Sequence, residues 1–139
     1  MKKIIFLLSL FVIGITSVQA QIPADKAVKI PEGKALIYIS RPSAALGAFR
    51  MVNKIDEVEL KTTGGRQHVY LIVDPGKHKV ICKGSTKESI LEVDAKAGKT
   101  YMVVQQVASP VIGVYYARLS LTEDPAKMGK YLKKSDWSN

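Results

Sequence analysis

Short stretches of alternating apolar and polar residues, each stopped by turn-forming residues, fill residues 35–121 and constrain the fold more than any other feature. Alternation with a period of two is typical of a β-strand that buries one face. Turn residues that recur roughly every 8–12 positions indicate an all-β sandwich or barrel. We therefore predict an antiparallel β-sandwich, immunoglobulin-like or related, of about seven or eight strands. The predicted strands cover residues 35–39, 49–52, 57–60, 67–73, 78–83, 88–93, 100–107 and 111–121.

Two predicted turns set the expected pairing of these strands. In Asp74-Pro75-Gly76-Lys77, proline presets φ at the second position and glycine accepts a positive φ at the third, which predicts a type II turn. We expect this turn to join residues 67–73 and 78–83 as a hairpin. Asn53-Lys54 is a second expected tight turn, because asparagine tolerates positive φ.

The C-terminal region has a different pattern. Asp124-Pro125 has the character of an N-cap followed by proline at the first helical position. Met128, Tyr131 and Leu132 follow at helical spacing. The sequence predicts one short C-terminal helix.

The N-terminus has the pattern of an export signal. Lys2 and Lys3 precede an apolar stretch over residues 4–15, and Val18-Gln19-Ala20 has the small residues that signal peptidase recognises. The apolar stretch is shorter than the ~20 residues that a membrane-spanning helix needs. We predict a signal peptide at residues 1–20 cleaved near Ala20, a linker at 21–33 and a single domain at 34–139. The mature protein is expected in the periplasm or secreted.

The charge of the predicted mature chain is strongly positive. Removing residues 1–20 removes two lysines, so 19 basic residues face 12 acidic ones and the net charge is +7. Such a balance favours peripheral contact with an anionic envelope surface. The lysines are spread along the chain without a block of like charges, so no nucleic-acid binding is expected. We expect a monomer or a weak dimer.

Cys82 and the two histidines are the residues with the greatest potential for chemistry. A single cysteine excludes an intramolecular disulfide, and its place in an apolar strand predicts burial. His78 and Cys82 lie four residues apart on one strand, ~13 Å along its axis, which is too far to share one metal ion. His68 could approach from a neighbouring strand, but no further ligand is indicated. We predict no metal, no cofactor and no catalytic residues.

The order of motifs resembles an uncharacterised bacterial family, domain-of-unknown-function family 2846. The residues that carry this resemblance are ALIYISRP at 35–42, VDPGKH at 73–78, AGKTY at 97–101 and GVYYARLSL at 113–121. The chain departs from the family pattern at Asn53-Lys54, where such domains often have Asp-Gly. The resemblance implies a small envelope-associated β-sandwich and implies no activity.

The last predicted strand contains the candidate binding residues. Its alternation places Tyr116 and Arg118 on the face opposite to Tyr115, Ala117, Leu119 and Leu121, which we expect to be core. An outward aromatic ring beside a guanidinium suits stacking on sugars or docking to a protein. Arg41, which ends the first strand, could lie nearby. The competing interpretation is that Arg118 covers apolar surface with its stem and Tyr116 packs at the rim.

These observations predict an exported, non-enzymatic β-sandwich that serves as a binding or structural accessory module in the cell envelope. Its partner would be an envelope protein or a polysaccharide. A carbohydrate-binding module is the alternative function, and a hydrolase is less favoured. Trp137, the single tryptophan, either docks on the sandwich or lies in a frayed tail, and the sequence leaves both possibilities open.

Overall fold

The computed structural model describes residues 22–138, and the predicted signal peptide lies outside this range. Two β-sheets pack face to face, and one short helix covers the outer face of the larger sheet. The predicted β-sandwich with a C-terminal helix is confirmed, while the finer immunoglobulin-like relationship stays a prediction. The elements are β1 Ala35–Arg41, β2 Val52–Ile55, β3 Val58–Glu59, β4 Gln67–Val73, β5 Gly76–Lys83, β6 Glu88–Ala95, β7 Thr100–Val111, β8 Val114–Thr122, α1 Pro125–Lys133 and β9 Asp136–Trp137.

The sheets contain five and four strands. The larger has the order β8-β7-β1-β4-β9, and the smaller has the order β3-β2-β5-β6. All pairs are antiparallel except β1 with β7 and β4 with β9, which are parallel. The larger sheet is therefore mixed, and not wholly antiparallel as predicted.

The central strand β1 is buried along its whole length because both faces of its sheet are covered. Residues at odd positions, such as Ile37 and Ile39, contribute to an inner core between the sheets. Residues at even positions, such as Leu36 and Tyr38, contribute to a second cluster on the outer face. Strands covered on both faces have continuous apolar sequences, which explains the uninterrupted run in β1.

The second cluster, here called the outer layer, packs the helix and the N-terminal segment against the larger sheet. Lys26 Nζ donates a hydrogen bond to the carbonyl of Leu132 at 2.6 Å, at the C-terminal end of the helix where a cation is favoured. Tyr38 Oη donates to the carbonyl of Lys26 at 2.9 Å. Residues 22–30, which lie in the predicted linker at 21–33, pack against the larger sheet as part of this layer. The buried members of the layer are Ile22, Leu36, Tyr38, Met102, Val104, Met128 and Leu132.

At residues 74–77 only the positive sign of φ at Gly76 agrees with the predicted type II turn, because the angle exceeds the ~80° of that turn and Gly76 begins β5. Gly76 has φ of 133°, which is positive as expected. The predicted hairpin is wrong, because β4 pairs with β1 while β5 pairs with β2 and β6. Asp74 and Pro75 carry the chain from one sheet to the other. Local turn chemistry predicted the change of direction but not the partner strand.

The second predicted turn is displaced along the chain. Asn53 and Lys54 lie within β2, and the turn follows at Asp56, where φ is 51°. Asn53 is fully buried and its amide donates to the carbonyl of Lys61 at 2.9 Å. Tertiary partners therefore hold this asparagine in a strand, while Asp56, which also tolerates positive φ, forms the turn.

The C-terminal helix forms as predicted. Asp124 is the N-cap and accepts a hydrogen bond from the Ala126 N–H at 3.0 Å. Pro125 occupies the first helical position, where its missing N–H costs nothing. Met128 and Leu132 point at the sheet and are fully buried.

Candidate functional site

One end of the sandwich gathers most of the long loops. Strands β1 and β7 run parallel and finish there, and β4 begins there because Gln67 pairs with Arg41. The residues after the helix reach the same end, since Asp136 pairs with Gln67. We call this the loop end. Its connections are residues 42–51, 60–66, 84–87 and 112–113.

Charge is distributed unequally between the loop end and the opposite end. Within residues 22–138 the loop end presents seven exposed basic side chains, Arg50, Lys61, Arg66, Lys83, Lys87, Lys133 and Lys134, against two exposed acidic ones, Glu88 and Asp136. The opposite end has the exposed lysines Lys77, Lys96 and Lys99 against seven exposed acidic residues: Glu32, Asp56, Glu57, Asp74, Asp94, Glu123 and Asp124. The positive charge of the chain is therefore concentrated at the loop end, which the even spacing of lysines in the sequence did not indicate.

Apolar side chains project from the same end. Ile112 at the tip of the β7–β8 hairpin is 101% exposed and Val111 is 63% exposed. Leu46 and Val114 are also exposed. Sequence analysis ran the last strand over residues 111–121 and so missed the turn at residues 112–113. Pro110 and Gly113, which flank Val111 and Ile112, are the signal that could have identified it, because both are turn-forming residues.

Tyr116 and Arg118 lie on the outward face of the same hairpin, as their alternation predicts. Ala117 between them is buried in the inner core and Arg118 is exposed. Lys87 Nζ lies 4.7 Å from the centroid of the Tyr116 ring, which is a cation–π distance. Leu121, predicted to be core, is 41% exposed because it lies near the end of the edge strand.

Arg41 does not join these two residues. It continues the inward-facing positions of β1, is 1% exposed, and lies on the opposite side of the sheet from Tyr116 and Arg118. Its guanidinium donates to the carbonyls of Phe49, Thr63, Ala45 and Leu46. Burial lowers the pKa of Arg41, and the positive charge of Arg50 lowers it further. The expected position of Arg41 beside Tyr116 and Arg118 is not found, because this side chain is buried and organises the 42–51 loop from inside.

The base of the hairpin is fixed to the smaller sheet. Ser85 N–H donates to the carbonyl of Tyr115 at 3.0 Å, and Ser89 Oγ donates to the carbonyl of Ala117 at 2.5 Å. A Cβ at Gly84 would lie 2.0 Å from the Tyr115 oxygen, so only glycine fits there. The hairpin therefore projects from a rigid support.

A polar network crosses the inner core. Gln105 is fully buried, and its amide donates to Asn53 Oδ1 at 2.5 Å and to Cys82 Sγ at 2.9 Å. Thr63 Oγ1 donates to Gln105 Oε1 at 2.7 Å. Cys82 is buried as predicted, and burial raises the pKa of its thiol to about 12. Every polar side chain of this network has a partner, so it stabilises one arrangement of the core.

A cleft opens at the edge of the sandwich where the sheets end in β3 and β9. Each of these edge strands has only two residues, so each covers only a small part of the strand beside it. We call it the edge cleft; its volume is about 300 Å³. The tail prediction is resolved here, because Trp137 is docked with its ring centroid 4.2 Å from His68 and 5.1 Å from Tyr70. The lining residues are Glu59, Leu60, Lys61, His68, Val69, Tyr70, Trp137 and Ser138.

His68 is the fully buried titratable group of this cleft. Its Nδ1 lies 2.8 Å from Ser135 Oγ, whereas its Nε2 has no hydrogen-bond partner within residues 22–138. Burial lowers the pKa of His68 to about 4, and the charge of Lys26 acts in the same direction. The imidazole is therefore neutral at physiological pH. The second unpartnered buried atom of the described chain, Ser40 Oγ, belongs to the residue paired with His68 on β1.

His78 has the opposite environment. Its Nδ1 lies 2.6 Å from Asp56 Oδ2, and its Nε2 lies 2.6 Å from the carbonyl oxygen of Asp74. Burial alone would lower the pKa of His78, but these hydrogen bonds and the nearby carboxylates leave it raised. Two acceptors around one ring favour the imidazolium form, which donates to both.

The described residues contain no group of three or more His, Cys, Asp and Glu side chains placed to hold a metal ion. Over the same range no helix has the length and apolar character to cross a membrane.

Comparison with known proteins does not assign the chain to a family. No family model matches the chain, and no curated protein matches it. Among solved structures, the chain is similar to the N-terminal domain of AlgF from P. aeruginosa, with 13% identity and a TM-score of 0.41. The match covers 66% of this chain and 98% of that one. A score at this level is too low to show a shared fold, and the resemblance to domain-of-unknown-function family 2846 stays a prediction.

Proposed function

We propose that this protein is an exported, non-enzymatic binding module that docks through its loop end onto an anionic membrane surface of the cell envelope. One observation carries the proposal: the fully exposed Ile112 projects from the end of the molecule that holds the excess of basic side chains. Apolar side chains exposed at a rigid tip, with basic side chains at the same end of the molecule, match the two layers of a lipid leaflet, headgroups outside and acyl chains inside.

The expected energies are those of peripheral attachment. Burying Val111 and Ile112 in the acyl boundary would contribute roughly 1.5–3 kcal/mol for each side chain. Each Lys or Arg near an anionic leaflet adds about 1 kcal/mol. Neither contribution alone gives firm attachment, but together they support reversible binding that weakens with salt.

The hairpin also places the candidate residues Tyr116 and Arg118 in this contact. Both lie on its outward face, and Val114 separates Tyr116 from the tip. Tyrosine is suited to the headgroup layer, where one end of the ring is apolar and the hydroxyl is solvated. We expect this pair to contribute less than the tip itself.

The proposed location rests on the sequence. The basic and apolar pattern of residues 1–20 supports export, and the resemblance to the uncharacterised family supports association with the envelope. Mass spectrometry of exported protein should give a chain that begins at Gln21. Retention of the leader in that material would contradict the location.

The docking surface can be tested by co-sedimentation with vesicles. The mature protein should bind vesicles with about 30% anionic phosphatidylglycerol and should lose most binding when salt rises from about 0.05 to 0.5 M. The double variant Val111→Ser with Ile112→Ser should reduce binding about tenfold or more, because both side chains are already exposed and the fold does not depend on them. Tyr116→Ala with Arg118→Ala should have a smaller effect.

A matched control separates the loop end from total charge. Lys133→Gln with Lys134→Gln should weaken binding, whereas Lys96→Gln with Lys99→Gln at the opposite end should change it much less, although both pairs remove the same charge. Equal losses from the two pairs, or full binding by the tip variant, would contradict the proposed surface.

A further inference from the structure

We propose that the edge cleft is a binding site for a neutral saccharide, with the Tyr70 and Trp137 rings as its apolar walls and His68 Nε2 as its buried hydrogen-bonding group. This site is separate from the loop-end tip and does not depend on the membrane contact proposed above. The inference starts from the buried nitrogen that lacks a partner in the described chain.

A hydroxyl group is the ligand group that best fits His68. The structure fixes a contact between Nδ1 and Ser135 Oγ, and that contact is compatible with either neutral tautomer of the ring. In one tautomer Nε2 donates a hydrogen bond, and in the other it accepts one. A hydroxyl both donates and accepts, so it satisfies Nε2 in either case.

The walls and rim of the cleft further limit the chemical class of the ligand. Tyr70 is 39% exposed and Trp137 is half-buried, so both rings present apolar surface to a ligand. Glu59 and Lys61 at the rim are exposed and carry opposite charges, so the cleft selects no net charge. A volume of about 300 Å³ is at the small end of ligand pockets and suits a short segment of one or two rings. Apolar walls with polar rim groups of both signs suit a neutral, polyhydroxylated ring.

Trp137 has a second role in this site. His68 has no exposed surface, and the indole ring lies beside the imidazole. A ligand that reaches Nε2 must therefore displace a packed neighbour, and the indole is the nearer of the two aromatic rings packed against the imidazole. Since Trp137 is the single tryptophan of the chain, its fluorescence reports on the proposed binding event directly.

The experiment is a fluorescence titration of the mature protein with three neutral hexasaccharides: maltohexaose, cellohexaose and chitohexaose. At least one of them should produce a saturable change in Trp137 emission below about 10 mM, and sorbitol at matched osmolality should not. Tyr70→Ala should weaken that affinity about tenfold, because a stacking wall is lost. His68→Phe, which keeps an aromatic ring but removes the nitrogens, should weaken it by a similar factor.

Ile90→Ala is the matched control, because it removes an exposed apolar side chain from β6, which belongs to the smaller sheet and lies outside both proposed sites. It should leave the saccharide affinity unchanged. Tyr70 is partly exposed, so its variant tests the site even where His68→Phe fails to fold. The proposal is overturned if none of the three sugars changes Trp137 emission in the wild-type protein, or if Tyr70→Ala and Ile90→Ala bind with equal affinity. Vesicle binding by the same preparations measures the loop end independently, so the two proposals fail separately.

Discussion

The inner core and the outer layer differ in whether their buried polar groups have hydrogen-bond partners. Between the sheets, Gln105 and Asn53 hydrogen-bond each other and have further partners, and Arg41 donates to four loop carbonyls. On the outer face of the larger sheet, Ser40 Oγ and His68 Nε2 lie at paired positions without partners in the described chain. Both regions are fully buried at these residues, so burial alone does not distinguish them.

This difference distinguishes the buried polar groups that stabilise the fold from those that can hydrogen-bond a ligand. A satisfied buried group stabilises one packing arrangement, and removing its partner leaves atoms that have lost both water and protein. An unsatisfied group already carries its desolvation cost in the folded state, so its removal costs less and a ligand can gain from pairing with it. Function is therefore better sought beside His68 than beside Arg41.

The largest effect that tests this comparison is expected at Arg41. Arg41→Met keeps much of the side-chain volume but leaves the four loop carbonyls without their donor, so unfolding free energy should fall by about 3–5 kcal/mol. Urea denaturation measures this directly. Arg50→Met is the matched control: Arg50 is exposed and bonds Thr62 and Gln67, and its loss should cost under about 1 kcal/mol. Similar losses for both variants would break the distinction between buried and exposed guanidinium groups.

The second effect is acid destabilisation through His68. The unfolded chain binds a proton near pH 6.5 and the folded chain only near pH 4, so stability should be lost as pH falls through this window. The full shift corresponds to about 3 kcal/mol. Lys26 opposes protonation, while Asp25 and Asp136 favour it, and all three are near the ring. His68→Phe should lose less stability than wild type between pH 7 and 4.5, and parallel pH profiles for the two proteins would show that His68 does not titrate in this way.

The smallest effect is expected at His78, and it has the opposite sign. Because its folded pKa is raised, its stabilising contribution is present below pH 6.5 and is lost as pH rises through the folded pKa. His78→Gln should therefore cost more at pH 5.5 than at pH 8.5, by under about 1 kcal/mol for a partly exposed ion pair. Histidine NMR titration separates the two rings, and a His78 pKa below that of His68 would reverse the comparison.

The sequence by itself determined the elements that depend on neighbouring residues. The N-cap at Asp124, the positive φ at Gly76 and the outward face shared by Tyr116 and Arg118 all follow from local backbone preference or from the two-residue period of a strand. Burial of Cys82 followed from its apolar strand in the same way. These features need no knowledge of which strand pairs with which.

Only the tertiary structure decided the features that depend on pairing. Sheet membership turned the expected hairpin at residues 74–77 into a crossing between sheets, and the packing of residues 22–30 turned an expected linker into part of the outer layer. Arg41 became structural because the 42–51 loop folds over it. The edge cleft brings His68 and Trp137 together although 68 positions separate them in the chain. Such contacts are set by long-range packing, whose free energy outweighs local preference and leaves no periodic signal in the sequence.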